Sequence, residues 1–421
     1  LLVGLVSGAA AHAAPASPGL PSPRPVPASG LQLRVAEQEL RQHNPVVLRA
    51  REISKSLAHQ AVAVAQLPDP RLGVMAQNVP LNSGSLAQGQ NAMLSVGLSQ
   101  HFPPFGQRAA EGAKGRHQAR AALYGALETR AQALLALRRA WADALYGQHA
   151  LMVLRQQQEL YADSARVARA RFRAGGVPES DFLRARLEQQ ALTNRQYQAQ
   201  ALVTAARATI AALLVRPALP VLSVAWPHLP SPPSLAMLQA RLAGTPLLRR
   251  AEARRAAAED GVAVAHSAYY PSVTLSGSYG KTYYPGMPDQ ASLGVTVSLP
   301  LFATNRQDQR LDAARAAAAA ARDAYVDTAA RLQARVRSEF ARYLALKEES
   351  QQTRRVLLPT ARQAFHAALA SYAGGQARMT TVLKAERAEL KLALAVIGLR
   401  RDLMTAVANL DYLATDVEQT R

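Results

Sequence analysis

Apolar residues recur at helical intervals along most of this chain, and that spacing gives way to strict alternation in two places. From about Gln107 to Leu214, and again from about Asn305 to Leu413, the helical pattern has one strong interruption each. The first is Ala174-Gly175-Gly176-Val177-Pro178 and the second Ala373-Gly374-Gly375, which predicts two helical hairpins. Each first arm spans roughly 67 residues, about 100 Å of helix. No ordinary globular domain needs that length, so the pattern points to a conduit or spacer. Within the first arm Leu127, Leu134 and Trp141 fall seven apart, among Leu123, Leu137 and Leu145, a heptad-like seam for another long helix. Pro178-Glu179-Ser180-Asp181 is a good helix start. Pro359 interrupts the second long arm where the first carries Glu159, and a kink is expected there.

Upstream of the first hairpin, helical spacing from Leu31 to about Gln66 is broken at His43-Asn44-Pro45. The period then becomes two, predicting strands at about 71–79 and 92–101, and in the second half at about 272–281 and 291–299. Leu94, Val96 and Leu98 alternate with Ser95, Gly97 and Ser99. Leu293, Val295, Val297 and Leu299 alternate with Ser292, Gly294, Thr296 and Ser298. Strands of this length, apolar on one face and small or polar on the other, suit a membrane barrel wall. A soluble sheet with one buried face would alternate in the same way. Aromatics at the strand ends, Phe102, Phe105 and Phe302 at one and Tyr283 and Tyr284 at the other, favour the membrane and make Leu94, Val96, Leu98, Leu293, Val295, Val297 and Leu299 the lipid-facing set. Four strands cannot close a barrel, because known single-chain barrels start at eight, so several copies must pool their strands.

The halves repeat. Gly244-Thr245-Pro246 follows His43-Asn44-Pro45 by 201 residues, Tyr270-Pro271 follows Asp69-Pro70 by 201, Pro300-Leu301-Phe302 follows Pro103-Pro104-Phe105 by 197, and Tyr372 with Gly375 follows Phe172 with Gly175 by 200. Anchors at so constant an offset imply a duplication. The expected organisation is a truncated signal peptide over 1–14, ending near Ala11-His12-Ala13, a proline-rich linker over 15–30, and a first repeat over 31–216. A proline-rich connector over 217–234, a second repeat over 235–415 and a tail over 416–421 complete it.

Composition narrows the chemistry. The 421 residues include no cysteine, which excludes disulfides and thiolate sites and speaks against a lipid anchor. The net charge of +20 invites a nucleic-acid reading, but the arginines are spread along helices among glutamates and glutamines, as solvated faces are. Gly277-Ser278-Tyr279-Gly280-Lys281-Thr282 lacks the spacing and following helix of a phosphate loop. The nine histidines form no metal-binding motif. No catalytic constellation, cofactor or resident metal is expected.

The duplicated layout resembles the TolC-type outer-membrane factors of Gram-negative tripartite efflux and type I secretion systems. The residues that carry the resemblance are the P-x-F strand exits and the turns Phe172-x-x-Gly175 and Tyr372-x-x-Gly375, followed by Phe182-Leu183 and Val382-Leu383. Leu67-Pro68-Asp69-Pro70-Arg71-Leu72, Gln77-Asn78-Val79-Pro80 and Phe105-Gly106-Gln107-Arg108 look like its heavy-metal branch, the cobalt-zinc-cadmium and copper-silver exporters. The resemblance implies a mainly α fold with a small β part, assembled as a homotrimer in which a twelve-stranded barrel in outer-membrane lipid stands on a periplasmic α-helical tunnel. It implies partners, a periplasmic adaptor and an inner-membrane RND-type pump, and no nucleic acid. By position, the adaptor-facing tips are Arg173, Gly175, Val177, Ser180, Gly375, Ala377 and Arg378. The tunnel constriction falls at Asp181, Thr381 and Lys384, where the second half departs from the family's acidic pattern. A duct for drugs or for type I protein secretion is the second reading, and a periplasmic coiled-coil scaffold a third of another class.

Overall fold

The computed structural model describes residues 30–416 apart from 82 and 229. The expected leader over 1–14, nearly all of the 15–30 linker and most of the 416–421 tail lie outside the described residues. Helix α1 (Leu33–His43) stops at Asn44, whose Oδ1 accepts from the backbone N–H of Val46 and Val47 and so caps α2 (Pro45–Ala63). The Asn44 side-chain amide also donates to the carbonyl of Leu213 at 2.8 Å, tying this break to the far end of the first hairpin. Strands β1 (Arg71–Gln77) and β2 (Met93–Phe102) lead into α3 (Gln107–Arg173) and α4 (Glu179–Leu214). The second half has α5 (Leu235–Arg241), α6 (Pro246–Ser267), β3 (Ser272–Thr282), β4 (Gln290–Ser298), α7 (Gln307–Gln352), α8 (Leu358–Ala373) and α9 (Met379–Leu413). Gln107 and Gln307, Arg173 and Ala373, and Glu179 and Met379, all at element ends, stand 200 residues apart. Among the described residues, no helix is long and apolar enough to cross a membrane.

The four strands form one antiparallel sheet in chain order, with β1 and β4 at its edges. Val74 faces Val96, Val96 faces Tyr279, and Leu275 faces Val295, so the apolar faces of all four strands merge into one. Gly73 with Gly97, Gly97 with Ser278, and Ser278 with Ser292 make the opposite face small and polar. A one-residue slip anywhere would mix the two.

The helices pack through a seven-residue seam. On α3, Ala140, Gly147, Leu154, Tyr161 and Ala168 are buried. On α4 the buried set is Ala185, Leu192, Ala199 and Ala206, and on α9 it includes Met379, Glu386 and Ala393. Such spacing keeps one face of each long helix on its neighbour. The seam differs from the sequence expectation, because Leu127 and Leu134 are only half-buried and Leu123 is exposed. Trp141, Leu137 and Leu145 are buried as expected, and small residues share the seam with large ones, letting the axes approach: a Cβ on Gly147 would lie 2.6 Å from Val203 Cγ2.

At the expected kink the helix changes its winding. A π-helical stretch, Thr353–Leu357, separates α7 from α8, and Pro359 is the second residue of α8. Proline lacks the N–H that would bond back to Arg355 and its ring crowds that carbonyl, so the preceding turn widens. A belt girdles the hairpins, where Leu31 pairs with Leu222 of the connector and both are buried against α3 and α4. Trp226 is stacked on His149 and lies under the Arg400 guanidinium, fastening the connector to α3 and α9.

Candidate functional site

Two regions of this fold face outward with organised chemistry, the sheet and the hairpin tips. On the sheet, Leu293 is 95% exposed, Val295 68%, Leu72 73% and Val74 67%. A single chain therefore presents a continuous apolar surface with no protein cover. Val96, Leu98, Val297 and Leu299 are exposed with them, and Leu94 is half-buried. Phe105 and Phe302 stand exposed at the strand exits. Among the described residues, no strand neighbours the outer backbone edges of β1 and β4. The two edge strands, β1 and β4, run in opposite directions.

At the tips both hairpins reverse by the same hydrogen bonds. Gly176 N–H donates to the Arg171 carbonyl and Gly175 N–H to that of Phe172, with Gly175 at φ +72°. Gln376 N–H donates to the Ser371 carbonyl and Gly375 N–H to that of Tyr372, with Gly375 at φ +81°. These are Schellman closures, which need a residue free to adopt left-handed backbone. Beneath them Tyr372, Phe365, Met379, Val382 and Leu383 form a shared core with Ala165, Ala168 and Ala185 of the first hairpin.

The first half brackets one second-half residue. Arg171 Nη1 donates to the Tyr372 carbonyl at 2.5 Å, and its guanidinium carbon sits 4.8 Å above the Tyr372 ring. The Tyr372 hydroxyl points at Asp181 Oδ2 at 3.5 Å, a long hydrogen bond. Burial, and after it the Asp181 carboxylate, raises the Tyr372 phenol above its ordinary pKa. The ring therefore stays protonated and available to donate. Sequence reasoning missed Arg171, although the repeat carries a signal for it. At the 200-residue offset Arg171, Phe172 and Asp181 face Ser371, Tyr372 and Thr381, so the cation and carboxylate sit in one half and the hydroxyl in the other.

Of the expected tip residues, Arg173, Gly175, Ser180, Gly375 and Arg378 are exposed, while Val177 and Ala377 are half-buried against the tip core. The constriction candidates differ in their surroundings. Asp181 is half-buried beside Tyr372, whereas Thr381 and Lys384 lie exposed on α9.

Further up, two carboxylates are buried where they were not expected. Glu386 accepts from Ser164 Oγ at 3.0 Å through Oε1, and its Oε2 has no partner. Glu389 receives Gln157 Nε2 at 3.4 Å and Arg362 Nε at 3.5 Å on Oε1. Burial pushes the Glu386 carboxyl up to about 8, with Glu188 and Glu389 adding to the rise against the Ser164 bond. Among the described residues no group of three or more His, Cys, Asp or Glu side chains is placed to hold a metal ion.

Residues 237–414 match the sequence profile of the family described as outer membrane efflux protein. The chain is 25% identical over 354 residues to the cobalt-zinc-cadmium resistance protein CzcC of Cupriavidus metallidurans, covering 82% of this chain and 81% of that protein. Its fold is shared with the outer-membrane channel OprN, at a TM-score of 0.79 and 20% identity over 92% of this chain and 90% of that one. It is shared equally with CusC, at 0.78 and 17% over 91% and 92%.

Proposed function

We propose that this chain, whose residues 237–414 match the outer membrane efflux protein profile, is the outer-membrane duct of a tripartite heavy-metal efflux system. The observation that carries the reading is the sheet: an exposed apolar face and two open edges on four strands, set at the end of helices about 100 Å long. Three copies supply twelve strands, close the edges and turn the apolar face to lipid. The helices, in two repeats over 31–216 and 235–415 joined by the proline-rich 217–234, then form a periplasmic tunnel. The duct is passive. Cations pass without a resident site, driven by a pump in the inner membrane and handed over by an adaptor. The adaptor docks on the exposed tips, Arg173, Gly175, Ser180, Gly375 and Arg378, with Val177 and Ala377 supporting the turns from below. Similarity to CzcC supports cobalt, zinc and cadmium as the cargo.

Gene deletion tests this reading: cells become sensitive to zinc, cobalt or cadmium and not to lipophilic drugs. Sensitivity to drugs alone would transfer the duct to a drug pump. Asp181 is proposed to hold the closed tip through Tyr372, with Thr381 and Lys384 as its less acidic counterparts. Asp181→Ala accordingly raises single-channel conductance in a planar bilayer. An unchanged closed-state conductance removes Asp181 from the gate.

A further inference from the structure

The belt around the hairpins contains a basic cavity that the channel reading does not use. It measures about 390 Å³ and is walled by α1, α3, α5, α9 and the prolines of the connector. Four arginines line it, Arg41, Arg130, Arg138 and Arg241, against one carboxylate, Asp411. Arg138 is committed elsewhere, since its Nε donates to Glu37 at 2.6 Å and its Nη1 to Asp411 at 2.8 Å. The other three have no carboxylate partner among the described residues. Arg241 reaches only the Met237 sulfur, at 3.7 Å, and Arg130 Nε is buried without any hydrogen-bond partner.

Three cations on three different elements facing one cavity repel each other, and a buried guanidinium N–H without an acceptor is costly. Burial and the neighbouring Arg41 even lower the Arg130 pKa, the direction expected where counter-charge is lacking. The Ser231 and Tyr412 side chains add hydroxyls to the lining, whereas the Thr415 hydroxyl already donates to the Asp411 carbonyl. Planar forks converging with hydroxyls are the donor set that recognises phosphate and carboxylate groups. We propose that this cavity binds one oxyanion per chain, a phosphate or a carboxylate, which bridges Arg41, Arg130 and Arg241 and so ties α1 and α5 to α3. A lipid headgroup is the wrong source. Arg130 lies 23 residues along α3 from Gln107, about 35 Å beyond the strand exits, whereas headgroups lie at the edge of the roughly 30 Å hydrocarbon core. The oxyanion is therefore a soluble ion or a group on a periplasmic polymer. All the groups come from one chain, so the site does not depend on the trimer or on the cargo.

The full-length protein in detergent would be titrated calorimetrically with inorganic phosphate, and in a second arm with acetate, at ionic strength held constant with chloride. Saturable binding of either, one per chain, is expected, and the tighter arm names the source chemistry. Arg130→Met should weaken it at least about tenfold, as loss of a charge-assisted bond does. Arg241→Met, on a separate short helix, should weaken it too, while Arg335→Gln on the exposed face of α7 leaves it unchanged. Absence of saturable binding by both anions overturns the site, as does wild-type affinity in both Arg130→Met and Arg241→Met. Should Arg130→Met not fold, the wild-type titration and Arg241→Met decide.

Discussion

The Val295→Arg variant is expected to fail to assemble in the outer membrane, whereas Thr296→Arg, one residue along β4, assembles normally. The difference comes from the register alone. Val295 pairs with Leu275 on the face that also carries Leu72, Val74, Val96 and Leu98, and Thr296 pairs with Thr274 on the small polar face. If the first face meets lipid, an arginine near its middle costs roughly 2–4 kcal/mol per copy, a penalty that falls on every copy in a closed barrel. On the second face the arginine meets water in the lumen, where its effect is on ion selectivity. Heat-sensitive oligomers in membrane fractions measure assembly, and reversal potentials in bilayers measure selectivity. Normal oligomers of Val295→Arg together with loss of Thr296→Arg would invert the sheet and refute the proposed barrel.

That contrast was legible in the sequence because strand alternation is strictly local: Leu293 through Leu299 declare two faces without reference to any other element. The hairpin turns were legible for the same reason, since Gly175 and Gly375 close their own helices. Packing across the hairpins was harder to read. The buried seam of α3 runs through Leu154 and Tyr161 but also through Ala140, Gly147 and Ala168, whose apolar signal is too small to stand out from an alanine-rich background. The Arg171–Tyr372 contact joins residues 201 apart and depends on the rotation of two long helices about their axes, which no local pattern fixes. Glu386 is intermediate. It lies seven residues after Met379 and seven before Ala393, both buried, so the heptad itself marks a carboxylate inside the wall, visible once the seam is phased on α9.

Raising the pH from 6 to 9 is expected to destabilise the helical wall, and Glu386→Gln to abolish most of that loss. Glu386 is only 1% exposed and its carboxyl is raised from 4.5 to about 8. The groups facing it are Ser164 and Tyr161 on α3, Glu188 on α4, and Arg387 and Glu389 on α9, with Arg362 of α8 reaching Glu389. Between the two pKa values the folded chain holds a proton that the unfolded chain has released. Stability is therefore greatest below about pH 4.5 as far as this group is concerned, falls as pH rises, and levels off above about 8. The slope approaches about 1.4 kcal/mol per pH unit in that window. Glutamine keeps the shape and the bond with Ser164 but carries no charge at any pH, so its thermal midpoint in detergent should stay nearly flat from pH 6 to 9 and exceed the wild type at the alkaline end. Parallel curves for the two proteins would mean that Glu386 is solvated and charged throughout. The consequence reaches the tip, because Glu386 stands only seven residues along α9 from Met379, at the foot of the turn, about 10 Å of helix. Ionisation loosens α9 on α3 just above the Tyr372 core, and alkaline pH should therefore raise closed-state conductance in the wild type but not in Glu386→Gln.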